Sequence, residues 1–280
     1  MKALELYDRL EADFIATGMS DDWARYMGEL NDYLTANFKE RSMGLVCDFT
    51  PEINKVYSAV FPTAAIMQKV LQGGSDALLF LHHPSVWDIR RPKPFYQMDP
   101  LLLAQFREQR IAIYNLHVPL DHFGEYSTGK TLAQALGIEI ERPFAAYRGA
   151  RCGVIGRTRC QDVVELNSLF AQVLGHQTKL YLYGDRRWDG RIAIVAGGGN
   201  NQATVGEMIE NQVKVLITGI TTLNRVSAEV HQLEQDRQIN VLGGTHYSTE
   251  KFACQAMCDY FHQLGLAATF LEDTPVFEDM

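Results

Sequence analysis

A chain of 280 residues in which 46% of the side chains are hydrophobic can bury one large core or two smaller ones, which argues against disorder. Its 26 basic and 34 acidic residues leave a net charge of -8 and no lysine/arginine run able to track a phosphate backbone, so nucleic acid is a poor partner. No run reaches the roughly 18 consecutive apolar residues that span a bilayer, and the opening MKALELYDRLEADF mixes acids among its apolar positions, so no membrane contact and a cytoplasmic location are expected. The five cysteines, Cys47, Cys152, Cys160, Cys254 and Cys258, are spread out with no CxxC pair, and read as reduced thiols rather than a disulfide framework or zinc ribbon.

Residues 1–43 carry apolar positions at helical spacing (Leu4, Leu6, Tyr7 and Leu10, then Trp23, Tyr26, Met27, Leu30, Tyr33 and Leu34), with Ser20 a plausible N-cap; two amphipathic helices in an N-terminal extension fit. From residue 44 short β-branched runs alternate with helical segments, the pattern of an α/β protein built from βαβ units. Strands are expected at 54–61, 77–82, 111–116, 191–196, 214–218 and 239–243. Helices are expected at 64–72, 100–109, 129–136, 162–174, 202–211, 222–236 and 250–264. A Gly/Arg-rich passage near 142–157 suggests a boundary between a first α/β half, 44–145, and a second, 146–280.

The sharpest local feature is Leu81-His82-His83-Pro84, two adjacent histidines ending an apolar strand. Neighbours in a strand face opposite ways, but at a strand end the chain can turn and aim both imidazoles into one crevice. The next strand runs into His117-Val118-Pro119-Leu120-Asp121, which places an imidazole and a carboxylate where open α/β sheets gather ligand groups. Asp121 would be a hard oxygen ligand, and His117 a ligand, an orienting group or a proton carrier. The third segment, Gly244-Thr245-His246-Tyr247-Ser248-Thr249-Glu250, opens the final helix. With Ser248 or Thr249 as N-cap, Glu250 falls in the first turn and His246 in the preceding loop, near enough to share a metal centre. Each feature has a plain structural reading when taken singly: solvent-facing histidines, a turn-capping Asp121, or a Glu250 that complements the helix dipole. Together they form an N/O ligand set suited to zinc, manganese, iron, nickel or cobalt, larger than one tetrahedral ion needs. A pair of divalent ions activates water and clamps a phosphoryl or acyl centre, so hydrolysis is the natural reaction class.

At these residues the sequence resembles the Nif-three-like family, whose members are often labelled GTP cyclohydrolase 1 type 2 homologues. The segment Val56–Trp87 is similar to its strand–helix–strand ending in HHP and an aromatic, His117–Asp121 to its HxxxD segment, and Gly244–Glu250 to its GHxxTE signature; the similarity runs over roughly residues 44–271. The resemblance implies two α/β halves with the metal site between strand ends, and two divalent ions held by His82, His83, Asp121, His246 and Glu250. It further implies a bridging Glu250, with His117 beside the metals, and a ring-shaped homohexamer. Two departures concern substrate contacts: Ser42-Met43 replaces the family's usual Asp-Asn before Gly-Leu, and Ile220 stands where an acidic residue is common. The function expected is metal-dependent hydrolysis of a small phosphorylated or nucleotide-like substrate, with His117 and Glu250 as the catalytic residues. The alternative is a non-enzymatic metal-handling or regulatory protein.

Three further patterns compete. Gly124–Thr131 matches the phosphate-loop pattern GxxxxGK[ST], but HVPLDHF separates it from its strand and no later strand ends in a magnesium-holding aspartate, so a P-loop hydrolase is the weaker alternative. Gly197-Gly198-Gly199 could cradle an anion or simply allow tight packing. Cys254, Cys258 and His262 share a helical face better read as buried than as a soft metal site.

Overall fold

The computed structural model describes residues 1–280. In chain order it contains α1 Ala3–Phe14, α2 Ala36–Arg41, β1 Gly44–Cys47, β2 Lys55–Ala59, α3 Ala64–Gln72, β3 Ala77–Leu81, the two-residue strands β4 Val86–Trp87 and β5 Phe95–Tyr96, α4 Pro100–Glu108, β6 Ile111–Asn115 and the single turn α5 Val118–Asp121. There follow α6 Thr128–Ala135, β7 Glu139–Tyr147, β8 Ala150–Arg157, α7 Val163–Leu174, β9 Lys179–Tyr181, β10 Arg191–Val195, α8 Gln202–Glu210, β11 Val215–Thr218, α9 Ala228–Asp236, β12 Asn240–Gly243, α10 His246–Gln263 and β13 Ala267–Phe270. The chain divides into two compact α/β units, one of residues Met1–Leu120 with Cys254–Thr274 and one of Asp121–Ala253 with Pro275–Met280.

The first unit is built on a five-stranded sheet in the order β1-β6-β3-β2-β13, parallel except for β1. Its central strands ALLFL and IAIYN are buried at every position, as parallel strands covered on both faces must be. Phe38, Ile66, Met67, Val70, Leu103 and Phe106 pack over the sheet. Side-chain caps start the covering helices: Thr63 Oγ1 accepts from Ile66 N, and Asp99 accepts from Leu101 N ahead of Pro100 at the first helical position. The second amphipathic helix expected before residue 40 does not form. Trp23–Tyr26 and Gly28–Leu30 are separate 3-10 turns, because Gly28 is a poor helix former and Ala24 N–H donates 2.9 Å to Ser42 Oγ instead of into a longer helix. Trp23, Met27 and Leu30 are nonetheless buried.

The second unit carries a six-stranded sheet in the order β7-β8-β10-β11-β12-β9, with β10, β11 and β12 parallel and the remaining pairings antiparallel. The Gly/Arg-rich passage is a β-hairpin, β7–β8, closed by Arg148 and Gly149. Both have positive φ, the backbone a two-residue hairpin loop demands. The helix expected from residue 222 begins at Ala228, since Asn224 Oδ1 accepts from Val226 N and Ser227 N and holds 222–227 in a turn.

One polar pair lies inside this second unit. Glu234 is fully buried on α9, with Oε2 3.3 Å from His231 Nδ1. His231 Nε2 donates to Thr221 O at 2.9 Å, so Nδ1 carries no hydrogen when the ring is neutral and accepts from Tyr183 Oη at 3.0 Å. Burial lowers the His231 pKa and pushes the Glu234 carboxyl up to about 8. The folded chain therefore keeps a proton on Glu234 that the unfolded chain, with an ordinary value of 4.5, has released. Because the folded state binds more protons across that window, stability falls as pH rises through it and levels off beyond about 8. Glu234→Gln is expected to match wild type in thermal denaturation near pH 4 and to exceed it at pH 8 to 9 by a few kcal/mol, on the order of the linkage. Parallel curves would show that Glu234 does not carry that proton.

Candidate metal centre

In the first unit, β3 and β6 are adjacent and parallel, with Leu81 opposite Asn115. His82-His83 and His117 consequently leave the same carboxyl edge, one and two residues beyond a matched register. His82 N donates to Ala59 O and His83 N to Val60 O, which continues the strand pairing for two residues and fixes where each ring departs. Ligand atoms of His82, His83 and His117 all lie within 4.8 Å of one another, and all three residues are buried. His82 Nδ1 lies 3.0 Å from Leu116 O. A carbonyl only accepts, so Nδ1 carries the hydrogen and Nε2 presents a lone pair, the arrangement of a metal-binding imidazole. Phe61 stacks on His83 with ring centroids 4.8 Å apart, which restricts its rotation.

His117 has partners that sequence reading missed. Asp21 Oδ2 and Trp23 Nε1 lie 2.8 and 3.0 Å from the same Nδ1. Both cannot be hydrogen bonds at once, because the indole N–H needs a bare nitrogen and the carboxylate needs an N–H. The Asp21 side chain is only 1% exposed, its Oδ1 accepts from Asp22 N, and leaving the charged Oδ2 without a donor costs more than leaving a buried indole N–H without an acceptor. Nδ1–H directed at Asp21 is therefore the stable arrangement, which puts the ring's lone pair on Nε2. The Trp23 ring stands edge-on to both His83 and His117 and shields them.

In the second unit, His246 and Glu250 lie one turn apart on α10, with Nε2 and Oε1 separated by 3.2 Å and both residues buried. The helix starts earlier than expected. Thr245, not Ser248 or Thr249, is the cap, its Oγ1 accepting from Ser248 N, so His246 is the first helical residue rather than part of a loop. Asp121 closes the turn α5 and accepts a hydrogen bond from Thr128 Oγ1 at 2.7 Å, which orients its carboxylate. The glycine run is a packing device. Gly197 has φ +65 and donates its N–H to Thr249 Oγ1, and a Cβ there would overlap Glu250 Oε1 and crowd the His246 ring.

The competing motifs resolve as structure. The loop before α6 is separated from β6 by α5, Lys130 pairs with Glu125, and a Cβ on Gly129 would sit 3.0 Å from Cys152 O, so this glycine serves close packing. All five cysteines are free thiols; Cys254 Sγ points at Ala59 O, and His262 Nε2 bonds Ala268 O. No helix is long and apolar enough to cross a membrane.

The donors present suit divalent ions: buried imidazoles, one with its tautomer set for ligation, and carboxylates oriented by neighbours. Gly197→Ala should push the Glu250 carboxylate aside. Calorimetry with Mn2+ is expected to show an affinity drop of at least about tenfold, the scale on which displaced supporting contacts act. Unchanged affinity would mean that the glycine does not define the position of Glu250.

Two curated relatives, each named a GTP cyclohydrolase 1 type 2 homolog, are similar over most of their length. The Pyrococcus horikoshii protein is 26% identical, over 82% of this chain and 88% of its own. The Archaeoglobus fulgidus protein is 25% identical, over 87% and 94%. Among solved structures, protein ybgI, described as of unknown function, superposes with a TM-score of 0.74 at 20% identity, over 98% of this chain and all of the other. Reduced HcgD from Methanocaldococcus jannaschii superposes at 0.69 and 21% identity, over 98% of each chain. The family model described as Duf34/NIF3 (NGG1p interacting factor 3) matches residues 22–275, and the chain belongs to that family.

Proposed function

We propose that His82, His83, Asp121, His246 and Glu250 would together hold two divalent ions, and that the protein is a metal-dependent hydrolase of a small phosphorylated or nucleotide-like substrate. The observation that carries this reading is the convergence of three buried imidazoles beyond β3 and β6, with His82 Nδ1 held by Leu116 O so that the ring's lone pair sits on Nε2. The spacing of the other donors supports it: Asp121 follows His117 by four residues through the turn α5, and His246 and Glu250 share one helical face.

Bound ions would supply Lewis-acid polarisation of a phosphoryl or acyl oxygen. The chain's own groups do the rest. Asp21 holds the Nδ1 hydrogen of His117, so its Nε2 is the atom that accepts a proton from an attacking water and later returns it to the leaving group. Trp23 and Phe61 exclude bulk solvent from the imidazoles, which strengthens each electrostatic contact. The names of the relatives make a nucleoside triphosphate the first substrate to try. The family resemblance also motivates a homohexamer as the working assembly, to be read by sedimentation.

Elemental analysis of protein purified without chelators is expected to give about two ions per chain, the stoichiometry of a paired hydrolytic site. His83→Ala and Glu250→Ala should lose metal. His117→Ala should keep it while lowering kcat by about 10²-fold or more in a screen of phosphoesters, amides and GTP with Mn2+, Zn2+ or Ni2+. Wild type that takes up no metal on reconstitution would overturn the reading. Metal without any turnover would leave a metal-handling protein.

A further inference from the structure

The last six residues, 275–280, return to the second unit and end against the start of α10. Asp279 is fully buried there and makes two kinds of contact. Its Oδ2 accepts 2.9 Å from the backbone N–H of His246, the first residue of the helix, while its carbonyl accepts from Thr221 N at 2.7 Å and Thr222 N at 2.8 Å. Two residues earlier, Phe277 stands edge-on to His176 with centroids 5.2 Å apart, and His176 Nε2 lies 2.7 Å from Ser248 Oγ in the same first turn.

We infer that Asp279 is a positioning residue for the metal centre, a side-chain cap delivered from the chain's end that fixes where His246 and Glu250 stand. The physical case rests on what a helix leaves unsatisfied. The N–H groups of a first turn have no partner within the helix. Thr245 Oγ1 takes the amide of Ser248, and Asp279 takes that of His246, so two caps from different parts of the chain act on one turn. A carboxylate at this end also meets the positive pole of the helix. Thr221 and Thr222 follow β11 and Gly219, and their grip on the Asp279 carbonyl ties the cap to the strand edge beside α10. The contact is thus braced on one side by the sheet and on the other by the helix carrying the ligands. Residues 276–280 lie outside the stretch matched by the family model.

The inference rests on the proposed metal site and is tested with Co2+ alone as the probe. Calorimetry and the visible absorption of bound Co2+ are recorded for wild type, Asp279→Ala and Asp279→Asn, together with the Tm of each metal-free protein. Asp279→Ala is expected to weaken Co2+ binding by about 10- to 100-fold, the range for lost supporting contacts, and to change the Co2+ spectrum. Asp279→Asn retains a carbonyl oxygen for the His246 N–H and should restore both. A cap with a purely structural role would lower the metal-free Tm yet leave affinity and spectrum as in wild type, and that result overturns the inference. If Asp279→Ala does not fold, Asp279→Glu takes its place: the longer arm keeps the charge and shifts the acceptor, so an unchanged Co2+ spectrum is then the overturning result. Wild type that binds no Co2+ removes the metal reading itself, a failure distinct from one confined to the variants.

Discussion

The parallel pairing of β3 with β6 is the constraint on which the first unit's chemistry depends. With Leu81 opposite Asn115, the residues that follow each strand must emerge side by side, and those residues are His82, His83 and His117. A slip of one residue would turn every side chain of ALLFL to the other face and scatter the imidazoles. Burial of all five positions in both strands makes that slip costly, so packing that looks purely structural also sets the geometry of the donors.

The second unit reaches the same end by different means. Its two candidate ligands sit one helical turn apart, where the α-helix itself fixes their separation. What remains to be set is the helix's placement, and small residues do this: Gly197 and Gly219 let backbone approach Thr249 and the Glu250 carboxylate as no side chain would allow. Sheet register in the first unit and helical pitch in the second are each a rigid reference for the donors that unit carries.

Much of this was legible in the sequence. The α/β alternation and most element positions follow from period and β-branching, because buried parallel strands are continuous apolar runs. HHP, His117, Asp121, His246 and Glu250 stood out since each lies just past a strand or at a helix start. The missed features share one cause, distance along the chain. Asp21 meets His117 from 96 residues away, and Asp279 meets His246 across 33, with no local pattern marking either. The start of α10 was misplaced because Thr245, Ser248 and Thr249 are all competent caps and only tertiary packing selects among them. The β7–β8 hairpin was hidden by its own turn chemistry. Arg148-Gly149 lacks the usual asparagine or aspartate at the first loop position, and its glycine and arginines read as a linker.

The first unit is discontinuous in sequence: its sheet is finished only by β13, which pairs with β2 more than two hundred residues downstream. For a chain emerging from the ribosome N-terminus first, this sets an order of events. Strand β2 must wait with one hydrogen-bonding edge bare until β13 has been synthesised. The intervening second unit lacks only its last six residues at that stage and can already collapse around its own six strands. From β2 until β13 the nascent chain thus carries an open β edge, and β13 acts as the closing piece whose arrival ends that exposure.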